Sequence, residues 1–242
     1  MPALTLAHRR IAILEDDPTN RERLADKISD CGGDALPVSG PAPELSKLKS
    51  FCATNKVNLV VCDHHLTERS NYASYYGAEA VARSYQNGIA GILVTAYDRV
   101  DAEISLRRFR RFIPALLHSP TEVTSAKLLA ALFQAEQEVL HKKPIRGRIG
   151  HRTIMTVQEI ETRGVAKDKA VKVLMSQWSV EQSVVFPMDR IPSKFHSEVK
   201  PGRLLIAQVN IEASKQEELF FENFELPNQD ALKKAQSLFG RA

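Results

Sequence analysis

Carboxylates directly follow two short apolar segments of this 242-residue chain. Glu15 and Asp16 come after the apolar run 10–14, and Asp63 follows a second run that begins at Val57. Carboxylates that gather from two segments repel one another unless a cation lies between them. Hard oxygen ligands of this kind suit Mg²⁺ better than a softer metal. The residue types therefore indicate a magnesium-binding site, provided that the two segments end at the same place.

A hydroxyl group and two imidazoles stand near these carboxylates in the sequence. Thr95 and Ala96 follow a third apolar run, and a threonine hydroxyl there is suited to hydrogen-bond a phosphoryl oxygen. His64 and His65 come directly after Asp63. They have no third ligand at a sensible spacing, so we do not expect a transition-metal site.

The first 140 residues alternate apolar strands with amphipathic helices. Strands are predicted at 10–15, 35–38, 57–62, 88–94 and 112–117, and helices at 17–30, 43–55, 77–87, 98–110 and from Ser119-Pro120 to Leu140. Asp17-Pro18 and Ser119-Pro120 are typical helix starts, with a capping residue before a proline. Five strand–helix units predict a parallel sheet covered on both faces, in which sites form at the carboxyl ends of the strands.

These segments together resemble the receiver domain of two-component response regulators over about residues 8–140. The matching motifs are Ile11–Asn20, Leu59–Asp63, Gly77–Glu79 and Ile92–Asp98, in the family's order. The resemblance implies an α/β fold with a flavodoxin-like five-stranded parallel sheet. It also implies a phosphoprotein of a phosphorelay, which receives its phosphate from a histidine kinase or a phosphotransfer protein.

The resemblance further implies roles for individual residues. By position these are Asp63 as phosphoacceptor; Glu15, Asp16, Asp63 and the backbone carbonyl of His65 as Mg²⁺ ligands; and Thr95 with Ala96 as the phosphoryl-sensing position. These few groups can suffice for phosphoryl transfer, because the reaction depends mostly on positioning and charge neutralisation. We expect no enzyme activity beyond phosphorylation and dephosphorylation of Asp63 itself.

Three features depart from the receiver pattern. Receivers normally place a lysine before the proline that opens the last helix, and here Ser119 occupies that position without its charge. Leu116 stands where the family often has an aromatic residue. The segment 67–76 is inserted beside the expected site, and its three tyrosines suit either a lid or partner surface or a tolerated surface insertion.

Composition is that of an ordinary globular protein, with 43% hydrophobic and 26% charged residues. It excludes collagen-like, disulfide-scaffold and wholly disordered classes. The longest apolar runs fall short of the roughly 18 residues of a membrane span, and the N-terminus has the wrong order for a secretory signal. The cysteines are three in number and lack C-x-x-C spacing, which argues against disulfides or zinc. We therefore expect a cytoplasmic protein without a membrane partner.

The net charge of +4 arises from the segment 141–152, which holds five Lys and Arg residues and no acid. Pro144, Gly147 and Gly150 make it a poor helix or strand, and we interpret it as a basic linker. It suits either a nucleic-acid contact or a solvated hinge. The hinge is favoured because no aromatic side chain is interleaved to stack on bases.

Residues 153–242 are predicted to form a smaller β-rich domain. The expected strands are 171–180, 182–186, 203–211 and 219–226, in an antiparallel sheet or small barrel followed by a helix at 230–238. The region lacks a nucleophile–base pair, a phosphate-binding glycine loop and metal spacing, so we expect no catalytic output. We interpret it as a protein-interaction or oligomerisation module.

The leading hypothesis is a response-regulator-like signalling protein that accepts phosphate on Asp63 and relays it through the β-rich module to a protein partner, with homo-oligomers as an option. The second hypothesis is a degenerate receiver that acts as a phosphorylation-independent scaffold. The third is a nucleic-acid-binding regulator that uses 141–152, for which steep salt dependence of binding would be the signature.

Overall fold

The computed structural model describes residues 5–67, 71–118, 123–164 and 166–228. They form two compact units. The first unit takes in the chain up to Arg99 together with Phe109–Ile145, and the second unit takes in Val100–Arg108 and the chain from Arg146 onward. The sequence did not predict that Val100–Arg108 belongs with the second unit. Among the described residues, no helix is long and apolar enough to cross a membrane.

The first unit contains a five-stranded parallel sheet. Its strands are β1 (Arg10–Leu14), β2 (Asp34–Val38), β3 (Leu59–Cys62), β4 (Ala90–Thr95) and β5 (Ala115–His118), in the spatial order β2-β1-β3-β4-β5. This is the strand order of flavodoxin-like doubly wound folds, so the predicted fold is confirmed. Leu14 pairs with Cys62, so the chain leaves β1 and β3 at the same level of the carboxyl edge.

Within the described residues, six α-helices accompany these strands in chain order. They are α1 (Pro18–Asp30), α2 (Leu48–Thr54), α3 (Gly77–Gln86), α4 (Arg99–Glu103), α5 (Ser105–Phe109) and α6 (Ser125–His141). Asp17 caps α1 as predicted, since its carboxylate accepts a hydrogen bond of 3.0 Å from the backbone N–H of Asn20. The predicted start of the last helix at Ser119-Pro120 is wrong, because the Thr124 hydroxyl caps α6 through the N–H of Lys127.

Apolar side chains of the central strands form the core of the first unit. Every residue of β3 and β4 is buried, which explains why these strands are continuous apolar runs. Leu24 and Ile28 of α1 pack on this sheet with Leu128 and Leu132 of α6. Fully burying one such side chain contributes about 1.5–3 kcal/mol to stability.

The second unit contains an antiparallel sheet, as predicted, but with five strands where the sequence predicted four. Its strands are β6 (His151–Arg163), β7 (Asp168–Leu174), β8 (Ser183–Pro187), β9 (Leu204–Val209) and β10 (Phe221–Glu225), in the spatial order β10-β9-β6-β7-β8. The central strand β6 was not predicted. The segment 141–152 is correspondingly not a linker over its whole length, because His141 ends α6 and His151 begins β6. The helix predicted at 230–238 lies outside the described residues.

Candidate functional site

The structure brings together the three carboxylates that the sequence singled out. Glu15 and Asp16 follow β1, Asp63 follows β3, and one carboxylate oxygen of each lies within 4.8 Å of the others. The parallel register of β1 and β3 is the cause, because it ends both strands at the same edge. Three negative charges at this spacing raise the free energy of the fully ionised state, so the cluster favours either a proton or a cation.

Glu15 is the most buried of the three acids, with 5% of the residue exposed. Burial, reinforced by the charge of Asp63, raises the pKa of Glu15 from 4.5 to about 8. A hydrogen bond of 3.0 Å from the backbone N–H of Asp17 to Glu15 Oε1 opposes this shift without cancelling it. At neutral pH Glu15 therefore carries a proton unless a cation takes its place.

Asp63 is half-buried, and this loss of solvent raises its pKa. The Thr95 hydroxyl and a backbone N–H of His65, which lies 2.8 Å from Asp63 Oδ2, favour the ionised form and partly offset this effect. Thr95 is fully buried, and within the described part of the chain its oxygen makes no hydrogen bond of normal geometry. A buried hydroxyl donor thus lies beside Asp63.

The donor set fits a Mg²⁺ ion. Carboxylate oxygens are the hard ligands that this ion prefers, and Asp16 Oδ2 is buried without a hydrogen-bond partner among the described residues. A cation between Glu15, Asp16 and Asp63 would offset the burial and the mutual repulsion that together keep Glu15 protonated. The resemblance implied that the His65 backbone carbonyl binds Mg²⁺. In the structure, the backbone N–H of His65 donates a hydrogen bond to Asp63.

Two further residues hold the Glu15 backbone, and the sequence did not identify either. Arg21, in α1, donates from Nη1 to the carbonyl oxygen of Glu15 at 2.6 Å. Tyr72 accepts a hydrogen bond of 3.3 Å from the Glu15 N–H and donates one of 2.7 Å to the carbonyl oxygen of Val38. Nothing in the local sequence pairs these residues with Glu15.

The inserted segment 67–76 is attached to the first unit by its tyrosines. Tyr72 and Tyr75 are buried, and the Tyr75 hydroxyl donates to the Pro43 carbonyl at 2.7 Å. Only Tyr76 is exposed, and its ring stacks on His64 with centroids 5.0 Å apart. Tyr72 and Tyr75 are thus not available to a partner, which corrects that part of the interface hypothesis.

The positions that depart from the receiver pattern lie around β5. Leu116 is a half-buried residue of β5. At the end of this strand the His118 ring meets the Tyr97 ring edge-on at a centroid distance of 4.8 Å. Ser119 lies outside the described residues.

The basic segment is largely engaged inside the second unit. Arg148 is buried, with its guanidinium 5.8 Å from the centre of the Phe220 ring. Arg146 pairs with Glu212, and Arg152 pairs with Glu225 at 2.9 Å. These ion pairs leave less positive charge for a polyanion than the sequence indicated.

Several solved structures are similar to this chain. No family model matches the chain. No curated protein matches it.

A response regulator receiver domain protein from Clostridium thermocellum is 17% identical, with 54% of this chain and 95% of that chain covered and a TM-score of 0.41. The signal receiver domain of an HD domain-containing protein from Pseudomonas fluorescens is 21% identical, with 56% and 98% covered and a TM-score of 0.42. A receiver domain protein from Methanospirillum hungatei is 19% identical, with the same coverage and TM-score.

The strand order of the first unit, obtained from its own hydrogen bonds, is the observation that establishes its architecture. The first unit is receiver-like in fold. The resemblance predicted from sequence is confirmed at this level, and the receiver-like unit brings Glu15, Asp16 and Asp63 together at the carboxyl edge of its sheet.

Proposed function

We propose that the receiver-like unit accepts a phosphoryl group on Asp63 from a phosphohistidine of a histidine kinase or phosphotransfer protein. The convergence of Glu15, Asp16 and Asp63 within 4.8 Å, beside the buried Thr95 hydroxyl, supports this proposal most strongly. The arrangement combines a nucleophile, ligands for a cation and a hydrogen-bond donor in one place. Phosphoryl transfer needs little more when the donor is already activated.

Each group has a separate task in this reaction. An Asp63 carboxylate oxygen forms the new bond to phosphorus while the bond from phosphorus to the donor imidazole nitrogen breaks, and the imidazole keeps that electron pair. Glu15, Asp16 and Asp63 would hold Mg²⁺, which would neutralise part of the phosphoryl charge. Thr95 donates its hydroxyl to a phosphoryl oxygen. The signal then passes to a protein partner of the second unit.

A phosphorylation-independent scaffold is the second candidate, because Ser119 occupies the position of the usual lysine. A hydroxyl provides a hydrogen bond but not the charge that pairs with a phosphoryl group. In this case the receiver-like unit would bind its partner in one state only. The ion pairs of Arg146 and Arg152 and the burial of Arg148 make a nucleic-acid function the less favoured alternative.

Intact-mass measurement after exposure to a small acyl phosphate tests the proposal. We expect the wild type to gain one phosphoryl group in the presence of Mg²⁺ and not in its absence. Asp63→Ala should gain none, while Asp26→Ala, an exposed acid in α1, should behave as the wild type. Asp16→Asn should weaken Mg²⁺ binding without unfolding the protein, since it removes a repelling charge.

Ser119→Lys distinguishes the two candidate functions. The added ammonium should accelerate phosphorylation of Asp63, because a charge-assisted contact then forms as the phosphoryl group arrives. Absence of phosphate in both the wild type and Ser119→Lys would refute the phosphoacceptor function and leave the scaffold.

A further inference from the structure

The Tyr72 hydroxyl lies where the pairing of β1 with β2 ends. Leu14 and Val38 are the last residue pair of these two parallel strands. In a continuing parallel ladder the next backbone groups would bond to each other directly. Here the Glu15 N–H donates to the Tyr72 oxygen at 3.3 Å, and that hydroxyl donates to the Val38 carbonyl oxygen at 2.7 Å. A side-chain hydroxyl thus bridges the two strands at the residue where the acidic cluster begins.

Tyr72 is itself held in place by the loop that follows β2. The residue is 6% exposed, and an ideal Cβ on Gly40 would lie 2.8 Å from Tyr72 Cδ2, so the ring lies directly against the Gly40 backbone. The Tyr72 carbonyl oxygen accepts a hydrogen bond of 2.7 Å from the N–H of Ala42. The ring, the backbone and the hydroxyl of Tyr72 are therefore all fixed within the receiver-like unit.

Glu15 is held on its other side as well. Arg21 Nη1 donates to the Glu15 carbonyl oxygen at 2.6 Å, and the backbone N–H of Asp17 donates to Glu15 Oε1 at 3.0 Å. With the Tyr72 hydroxyl, these bonds restrain the N–H, the carbonyl and one carboxylate oxygen of Glu15. A metal ligand needs such support, because it has to stay at the distance and angle that the ion requires.

We propose that Tyr72 is a positioning residue of the cation site, whose hydroxyl fixes the Glu15 backbone so that the carboxylate stays beside Asp16 and Asp63. This inference rests on the proposed function. It gives the inserted segment 67–76 a task in cation binding. Loss of a group that orients a metal ligand typically lowers metal affinity by about 10-fold to 100-fold.

The same restraint favours Mg²⁺ over Ca²⁺. Mg²⁺ requires nearly octahedral ligands at about 2.0–2.1 Å, whereas Ca²⁺ accepts oxygens at about 2.3–2.6 Å in flexible arrangements. A Glu15 backbone that is held at both ends limits the movement by which its carboxylate adapts to the larger ion. Loss of the Tyr72 hydroxyl should therefore weaken Mg²⁺ binding more than Ca²⁺ binding.

Tyr72→Phe tests the positioning role, because it removes the bridging hydroxyl and keeps the ring. Tyr75→Phe is the matched control. Tyr75 is buried in the same segment, and its hydroxyl also donates one hydrogen bond of 2.7 Å to a loop carbonyl, that of Pro43. Its loss therefore costs a similar bond without touching Glu15.

Calorimetric titration of the full chain with MgCl₂, and separately with CaCl₂, at one pH and ionic strength measures the effect. Tyr72→Phe should bind Mg²⁺ about tenfold more weakly than the wild type, and its ratio of Mg²⁺ to Ca²⁺ affinity should fall. Tyr75→Phe should keep the wild-type affinity for both ions. If Tyr72→Phe is poorly folded, Gly40→Ala serves in its place, since the added methyl group displaces the Tyr72 ring and should lower Mg²⁺ affinity in the same direction.

The outcomes separate this inference from the proposed function. Unchanged Mg²⁺ affinity in Tyr72→Phe, or an equal loss in Tyr75→Phe, would overturn the positioning role and leave the proposed function intact. An equal loss for Mg²⁺ and Ca²⁺ in Tyr72→Phe alone would support the positioning role and overturn the selectivity. A wild type that binds no Mg²⁺ would overturn both the positioning role and the proposed function.

Discussion

The backbone carbonyl oxygen of Asp63 occupies the place of a side chain on Gly77: an ideal Cβ there would lie only 1.6 Å from it. Gly77 is the first residue of α3, and its N–H donates to the His64 carbonyl at 2.9 Å. The Cys62 sulfur would lie 2.8 Å from the same Cβ. Helix α3 thus begins directly against the acceptor backbone, and only glycine permits this approach.

Gly77→Ala should displace the Asp63 backbone and weaken Mg²⁺ binding. We expect a loss of about 1–3 kcal/mol in the free energy of unfolding, which is the usual effect of overpacking. Gly147→Ala is the control, since its nearest neighbour would lie 3.5 Å from the added Cβ. Urea unfolding and Mg²⁺ titration measure both effects. Wild-type stability and affinity in Gly77→Ala would contradict this close approach.

Stability should fall as pH rises through the titration of Glu15. The pKa of Glu15 is about 8 in the folded protein, raised from 4.5 by burial and by Asp63. Between these values the folded chain keeps a proton that the unfolded chain has released, so the free energy of unfolding decreases with rising pH. Because Mg²⁺ displaces this proton, its affinity should increase over the same window.

Glu15→Gln is the variant that checks this pH dependence. An amide does not titrate, so the decrease in stability over this window should become shallower, with Asp63 leaving a residual slope of the same sign. Urea unfolding at a series of pH values without Mg²⁺ measures the slope of stability against pH. A slope as steep in Glu15→Gln as in the wild type would show that another group is responsible.

Tyr72→Phe should destabilise the receiver-like unit through the loss of one hydroxyl. That hydroxyl joins the Glu15 N–H to the Val38 carbonyl, and both groups would lose a buried partner. We expect a cost of about 1–3 kcal/mol in unfolding free energy. Tyr76→Phe, at an exposed ring, should change stability by less than about 0.5 kcal/mol. Similar values for the two variants would show that the Tyr72 hydroxyl bonds are unimportant.

Trypsin should cut first after Lys142, in the exposed stretch between α6 and β6. The two fragments should nevertheless stay together in native buffer, because the second unit includes Val100–Arg108 from the other side of the cut. Size-exclusion chromatography with and without denaturant measures this. Fragments that separate in native buffer would contradict the prediction, and early cleavage within 171–226 would contradict the predicted domain division.

Local patterns were enough to predict much of the receiver-like unit. The apolar runs of β1, β3 and β4 and the Asp17 cap are encoded within a few residues each, so period and capping rules find them. Parallel strands of a doubly wound fold end at one edge, and this rule alone predicted that Glu15, Asp16 and Asp63 would meet.

Tertiary structure decided the features that depend on partners distant in sequence. The sequence of Val100–Arg108 is amphipathic, and this pattern does not say which unit its apolar face contacts. Its packing on β7 and β8 assigns it to the second unit. Strand β6 begins in a basic segment with the turn residues of a linker, and it is a strand because β7 and β9 bond to both of its edges. In the sequence, Tyr72 lies in an inserted segment and gives no sign of a buried contact. In the structure, its hydroxyl accepts a hydrogen bond from the Glu15 N–H. Such pairings form between residues far apart in the chain, and no local pattern specifies them.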